Sequence, residues 1–305
     1  MEQQTKGGEY RRGLFAAIGC MTLWGVLPAY WKLLIPIDSR VIIIYRILLV
    51  FVSALILALR SFSLKEIFGP VLQDRRMALR FIAAGAIITI NWSTYIWAVN
   101  AGHIVESSTG YYIEPLMVCL FGIVLFHEKL TKYNLTAMGL ALISVVILLI
   151  HFRQLPWIAL SLALSFSVYS AIKKTVTQPP LISLVYETMF FAPIALVLIL
   201  GLECTGHGAL AVAAPHQIVL LLFCGFITAI PLALFAAAAQ KITMFALGLV
   251  EYISPTLSLI LGILFYHEAV DRVQMFAISL IWVGLIFFSY GEFRTGREAS
   301  GRAED

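Results

Sequence analysis

The sequence has little charge for its length. Only 12% of its 305 residues are Asp, Glu, Lys or Arg, whereas 61% are hydrophobic and the mean hydropathy is +0.93. About a quarter of the residues of a soluble domain are charged, since water must solvate its surface. The composition argues against a soluble enzyme, a nucleic-acid-binding protein and a disordered chain. It predicts an all-α polytopic membrane protein, with the lipid bilayer as its solvent.

Several chemical motifs are also missing. The four cysteines form no CxxC pair and no Cys/His metal spacing, so no disulfide framework, metal site or cofactor is expected. No GxxxxGK(S/T) segment is present to hold nucleotide phosphates, and no DDxxD cluster of the kind found in intramembrane transferases. An ATP-driven pump and an enzyme are therefore disfavoured, and an intramembrane enzyme or a non-transporting sensor is kept only as a remote alternative.

Long apolar runs predict ten membrane-spanning helices, because a span needs about 20 apolar residues. The predicted limits are 14–34, 41–59, 79–99, 107–126, 134–150, 156–172, 182–201, 217–239, 245–265 and 273–290. The loop at 151–155 is short, so nine spans is the alternative count. With the N-terminus in the cytoplasm, sixteen Lys and Arg residues fall on the cytoplasmic side and four outside. This bias predicts that both termini are cytoplasmic.

An internal repeat divides the chain. Residues 111–128 (YYIEPLMVCLFGIVLFHE) recur as 251–268 (EYISPTLSLILGILFYHE), with tyrosine, proline, glycine and the closing His-Glu in step. The predicted division is a tail at 1–13, a first five-helix repeat at 14–150, a second at 156–290 and a tail at 291–305. Because five is odd, the second copy is inverted. Inverted repeats are typical of secondary transporters, whose site lies between the halves and opens to each side in turn.

These features resemble the EamA domain pair of the drug/metabolite transporter superfamily. The segments LWGVLPAYWKLL (23–34), YRI (45–47), NWSTYIWAVNAGHIVESSTGYYIEP (91–115) and EYISPT (251–256) are similar to RarD-type permeases. The resemblance covers about residues 11–290. It implies a permease for a small organic metabolite or drug, with a proposed link to chloramphenicol sensitivity, in a superfamily that also contains amino-acid exporters. The chain has Glu114 where these permeases usually have Asn and Glu251 where they usually have Gln, which puts the solute preference in doubt.

Charged side chains inside spans are the first candidates for function, because an Arg or Asp at a helix centre costs about 2.5–3.5 kcal/mol on insertion scales. Arg46 and Glu187 occupy matching positions of the two copies. One interpretation is an ion pair between them that joins the halves. The other is that Arg46 presents its guanidinium to a solute carboxylate.

Two further carboxylates lie close to prolines. Glu114 precedes Pro115, and Glu251 lies four residues before Pro255 in the matching span. A proline cannot donate a backbone hydrogen bond, so helix breaks with free carbonyls are predicted at both places. Glu114 and Glu251 are therefore candidate proton-binding groups of a proton-coupled exporter. In the alternative, an uncoupled facilitator of amino-acid-like solutes, they are structural.

Aromatic and amide side chains complete the predicted site. The candidate solute-binding residues are Trp24, Arg46, Asn91, Tyr95, Tyr112 and Tyr252. Asn91 and Tyr95 lie about one helical turn apart, which predicts a polar stripe that faces the cavity. Core packing or an interfacial Trp/Tyr belt is the alternative. The expected partners are a small-molecule solute and protons, a homodimer is an open question, and no nucleic acid is expected.

A His-Glu pair closes both repeated segments. His127-Glu128 and His267-Glu268 fall at opposite ends of their helices, one pair on each side of the membrane. Capping and loop anchoring are favoured over paired acid/base chemistry for these residues.

Overall fold

The computed structural model describes residues 2–100, 103–153, 157–266 and 271–301, and these ranges contain helices and loops but no strand. The helices are α1 Glu2–Lys32, α2 Ser39–Ala58, α3 Leu64–Gln73, α4 Arg75–Asn100, α5 Ile104–Phe126, α6 Lys132–Phe152, α7 Trp157–Thr175, α8 Pro180–Met189, α9 Ala192–Cys204, α10 Pro215–Lys241, α11 Met244–Glu251, α12 Ile253–Tyr266 and α13 Arg272–Gly301.

Most of these helices are long and apolar enough to cross a membrane. Eight such segments lie in the described part of the chain, and Gly110–Phe126 is a shorter apolar one. One helix or one pair of half-helices covers each predicted span, with α7 in the sixth position. The prediction of an all-α polytopic membrane protein is confirmed.

Two predicted spans are divided into half-helices. The seventh consists of α8 and α9, which are separated at Phe190 and Phe191, and the ninth consists of α11 and α12, separated at Tyr252. Pro193 and Pro255 follow these breaks closely, and neither can donate to the carbonyl four residues earlier. The second break is the one predicted at Pro255. The first was missed, although Pro193 was its signal in the sequence.

Pro115, in contrast, does not break its helix, and the helix break predicted there is wrong. Helix α5 continues without interruption from Ile104 to Phe126. The half-helix α11 packs directly against it, since a Cβ atom added to Gly248 would lie 2.6 Å from the Pro115 carbonyl oxygen. Neighbouring helices stabilise a transmembrane helix that lacks one backbone hydrogen bond, so α5 stays whole.

The close approach at Gly248 makes a prediction. Gly248→Ala should destabilise the protein by roughly 1–3 kcal/mol, because the new methyl group would also meet the Cys119 backbone nitrogen at 2.9 Å. Gly139→Ala is the matched control, since a Cβ atom at Gly139 would meet no atom within 4 Å. Unfolding of both variants in detergent checks this, and equal stabilities would contradict the packing described here.

The packing of the helices follows a symmetric pattern. α1 packs on α10 as α7 packs on α4, α5 packs on α7 as α12 packs on α1, and α2 packs on α10 as α8 packs on α4. The pairs α2–α8, α5–α11 and α6–α13 join corresponding spans of the two halves. Exchanging the first five spans with the last five therefore leaves these contacts unchanged. Two copies related by a two-fold axis would produce this pattern, and the repeat boundaries themselves stay a prediction.

The two ends of the bundle differ in their contacts. We call the end where α1 begins and α10 ends the basic end, and the other the opposite end. At the basic end Lys241 forms an ion pair with Glu9, which lowers the pKa of that carboxyl group through a hydrogen bond and its charge. The Tyr10 hydroxyl donates to Glu292 at 2.7 Å. These contacts hold α1 and α13 beyond the predicted spans, so the tails expected at 1–13 and 291–305 are helical where they are described.

Candidate functional site

Arg46 lies near the middle of α2 and has no carboxylate partner among the described residues. Its guanidinium carbon is 3.9 Å from the centre of the Trp92 ring and 5.5 Å from that of Trp31. Its Nε atom is buried and lacks a hydrogen-bond partner. Stacking on aromatic rings stabilises a guanidinium but satisfies none of its donors. Arg46 is thus a cation with hydrogen-bonding capacity left for a ligand.

Aromatic side chains connect Arg46 to α5. Tyr111 lies within electrostatic range of Arg46, and its ring meets Tyr95 edge-on at 5.5 Å between ring centres. Tyr111 keeps 41% of its surface exposed, although it belongs to the same stretch of α5 as Glu114. Of these residues, Tyr95 was predicted as part of the site. Trp31, Trp92 and Tyr111 were not among the predicted solute-binding residues.

Glu251 is a buried carboxyl group at the break between α11 and α12. It is 3% exposed, and neither carboxylate oxygen has a hydrogen-bond partner. It ends the half-helix α11, where backbone carbonyls give the helix its negative pole, and Glu114 lies within electrostatic range. A second carboxylate and the negative end of a helix both favour a proton or another cation at this point.

Equivalent tyrosines of the two repeats make a contact next to Glu251. The Tyr252 hydroxyl donates to the Tyr112 carbonyl oxygen at 3.0 Å, and Tyr252 is fully buried. Tyr112 itself is 8% exposed. Both residues were predicted to bind solute, but in the structure they join α5 to the break between α11 and α12. They fix the position of Glu251 rather than present free groups to a cavity.

Glu187 is paired with a residue other than the one predicted. Its carboxylate accepts hydrogen bonds from Lys173 at 2.6 Å, from Ser183 at 3.1 Å and from Tyr169 at 3.0 Å. The ion pair proposed with Arg46 is therefore wrong. Lys173 was counted among the basic residues of a loop, but it is fully buried at the end of α7. Its side chain reaches back into the bundle because a carboxylate is available there.

Asn91 and Trp24 contribute to packing. The Asn91 amide nitrogen donates to the Leu162 carbonyl and to the Ser165 hydroxyl, both at 2.9 Å, which joins α4 to α7. Both amide hydrogens are used, so the predicted polar stripe does not offer them to a solute. Trp24 meets Phe166 and Phe235 at 5.9 and 5.5 Å between ring centres. These rings form a packed aromatic cluster between α1, α7 and α10.

A small cavity separates Arg46 from the Lys173–Glu187 pair. Trp92, Tyr169, Glu187 and Thr188 line it, and its volume of about 20 Å³ holds about one water molecule. Organic ligands occupy sites of about 300–1,000 Å³. A solute that passes between the two charged groups therefore needs the helices to separate.

Comparisons with known proteins agree with one another on the protein family. The model of the EamA-like transporter family matches residues 11–150 and again residues 155–290. Protein RarD of Streptomyces exfoliatus is 36% identical over 300 residues, which are 97% of this chain and 94% of the relative. Uncharacterized transporter YojE of Bacillus subtilis is 36% identical over 95% of this chain and 97% of its own. Protein RarD of Escherichia coli is 30% identical over 95% of this chain and 98% of its own.

A solved crystal structure supports the fold alone. It superposes with a TM-score of 0.70 over 90% of this chain and 96% of its own, at 15% sequence identity. Likeness at that identity carries no information about the solute.

Proposed function

The chain belongs to the EamA-like transporter family and is a multi-pass membrane transporter, and from this we propose that it is a secondary transporter that moves a small organic solute by alternating access. The central site consists of Arg46, the aromatic side chains around it, and the carboxylates Glu114 and Glu251. The basic end faces the cytoplasm in this proposal, in agreement with the distribution of Lys and Arg.

One observation carries the proposal. Arg46 and Glu251 are ionisable groups inside an apolar bundle, and polar atoms of both lack hydrogen-bond partners. An uncompensated charge in a membrane protein is costly, and a fold retains it where a ligand, an ion or a proton completes it during function. The guanidinium of Arg46 suits a carboxylate or another anionic group of the solute. Glu251 suits a proton.

The closed basic end supports alternating access. Lys174 donates to the Ile242 carbonyl there, and Gln240 donates to the Gln178 carbonyl at 2.9 Å. In this proposal the described state is closed at the basic end, and the central site opens toward the opposite end, on the side where Tyr111 keeps exposed surface.

Proton coupling leads to a specific prediction. With Glu114→Gln and Glu251→Gln combined, a pH gradient should no longer drive transport, because neither side chain can then exchange a proton. We expect the gradient-driven rate to fall by roughly tenfold or more, while exchange without a gradient continues. The measurement is uptake and counterflow in proteoliposomes, with a solute selected by a thermal-shift screen of amino acids, nucleosides and amphiphilic drugs.

Glu66→Gln is the matched control. Glu66 is an exposed carboxylate in the first turn of the short helix α3, which connects α2 to α4, and it caps that helix. This variant should leave coupling unchanged. Transport by the wild-type protein that ignores the pH gradient would identify an uncoupled facilitator. Coupling retained in the double variant would remove Glu114 and Glu251 from the proton path.

A further inference from the structure

Glu128 joins α5 to the start of α11. It follows α5 directly, after His127 has turned the chain with a φ of 51°. One carboxylate oxygen accepts from the Met244 backbone N–H at 2.7 Å, and the other accepts from the Phe245 N–H at 2.8 Å. A carboxylate at the positive end of a helix, with two short hydrogen bonds, is a strong electrostatic contact.

Helix α11 does not need this contact in order to form. Its own N-cap, Thr243, accepts a hydrogen bond from the Ala246 N–H at 3.1 Å, which is the usual way to start a helix. The Glu128 carboxylate therefore has another consequence: it fixes where α11 stands relative to α5. Helix α11 is eight residues long and ends at Glu251. Through the length of a rigid half-helix, Glu128 sets the position of the proposed proton-binding carboxylate.

The close packing around Glu128 depends on a glycine. A Cβ atom added to Gly122 would lie 2.6 Å from a carboxylate oxygen of Glu128 and 2.9 Å from the Phe245 nitrogen. Gly122 and Glu128 are both repeated 140 residues later, as Gly262 and Glu268. Glu268 lies outside the described residues.

The same offset relates the two helix starts. Helix α11 begins at Met244 and α5 begins at Ile104, which is 140 residues earlier. In an inverted repeat, the equivalent of the Glu128–α11 contact is a contact between Glu268 and the start of α5 at the opposite end of the bundle. The repeat therefore predicts, for each end of the molecule, one carboxylate and one helix start to accept hydrogen bonds from.

We propose that Glu128 is a positioning residue of the transport cycle, which holds α11 and Glu251 against α5 while the basic end is closed, and that Glu268 holds the start of α5 in the same way while the opposite end is closed. This inference rests on the proposed alternating access. The two contacts form in turn, because the separation of α5 and α11 at one end accompanies their approach at the other.

A native cysteine reports the contact. Cys119 on α5 is fully buried, and its thiol lies 3.4 Å from the carbonyl oxygen of Phe245, the residue whose backbone N–H donates to Glu128. In a protein with the other three cysteines replaced by alanine, N-ethylmaleimide reaches Cys119 only when α11 moves away from α5. Glu128→Ala should raise the labelling rate by roughly tenfold, the effect of losing a strong helix-end contact. Glu268→Ala should lower it, because it destabilises the state in which the basic end is open.

The control is Glu66→Ala, which removes a carboxylate cap of helix α3 and leaves the contact with α11 intact. It should label like the parent protein. Equal labelling of the Glu128→Ala and Glu66→Ala variants would overturn the proposal. So would faster labelling after Glu268→Ala, which would indicate general loosening. If Glu128→Ala does not fold, Glu128→Gln, which keeps one acceptor oxygen, is measured with the same criteria.

The labelling assay needs no solute, so it separates the two proposals. Wild-type transport together with unchanged Cys119 labelling overturns the role of Glu128 alone. Labelling that changes in opposite directions in the Glu128 and Glu268 variants, without transport of any solute by the wild-type protein, supports two alternating contacts and overturns the proposed function.

Discussion

Arg46→Lys is expected to reduce transport by roughly tenfold or more, although it keeps the positive charge. The guanidinium lies 3.9 Å from the centre of the Trp92 ring, a distance at which a planar cation stacks. Lysine offers no plane to stack and no fork of donors for an anionic group. Counterflow of the solute chosen by the thermal-shift screen, in proteoliposomes, measures the loss.

Arg46→Met separates a functional role from a structural one. The Nε atom of Arg46 is buried without a partner, and this costs stability in the wild-type protein. We therefore expect Arg46→Met to abolish transport and to raise the melting temperature in detergent. A substitution that abolishes activity and raises stability is typical of a residue that is retained for function. A lower melting temperature would show that Arg46 is a structural residue.

The control for these variants lies at the start of the same helix. Arg40 is exposed and binds Asp38 at 3.3 Å, outside the apolar part of the bundle. Arg40→Lys should leave transport and stability close to those of the wild-type protein, since exposed ion pairs contribute little. If it reduces transport as much as Arg46→Lys, charge at the opposite end matters more than the stacked guanidinium.

The sequence predicts the parts of this molecule that depend on local pattern. Runs of apolar residues locate the spans because a membrane requires about 20 such residues in sequence. Pro255 indicates the break at Tyr252, and the cost of burying an ionisable side chain singles out Arg46 and Glu251. Each of these signals is contained in one stretch of chain.

Contacts between distant stretches are harder to predict. Lys173 lies at the end of an apolar run, where lysines usually reach water, and only the side-chain contacts between α7 and α8 show that Glu187 is its partner. Asn91 has the spacing of a cavity-lining residue, but its donors are used by α7. Pro115 has the residue type of a helix break, but α11 supports α5 there. In each case a neighbouring helix determines which contact the residue makes, and the local sequence does not predict the position of that helix.

The second large effect concerns the buried Lys173–Glu187 pair. Its two side chains are 1% and 2% exposed, and the amine lies 2.6 Å from the carboxylate oxygen. Lys173→Met leaves Glu187 buried without its counter-charge, and Glu187→Met leaves Lys173 in the same position. Each single variant should lose about 3–5 kcal/mol of stability, because an unpaired buried charge is far more costly than the pair.

The double variant Lys173→Met, Glu187→Met should recover most of that loss, since two apolar side chains of similar length need no counter-charge. The free energies of unfolding of the wild-type protein, the two single variants and the double variant, measured reversibly in mixed micelles, form a double-mutant cycle. Arg12→Ala is the control, because Arg12 forms an exposed ion pair with Glu9 at 3.3 Å and its loss should change stability by less than about 1 kcal/mol. Single variants as stable as the wild-type protein would contradict the buried pair.

Transport by the stable double variant then decides what the pair is for. Glu187 lines the small cavity below Trp92, and Lys173 approaches it from the basic end. If the double variant transports at the wild-type rate, the pair only joins α7 to α8. If the double variant folds but does not transport, the pair has a role in transport. Its two charges then separate during the transport cycle, because a solute that leaves toward the basic end must pass between Lys173 and Glu187.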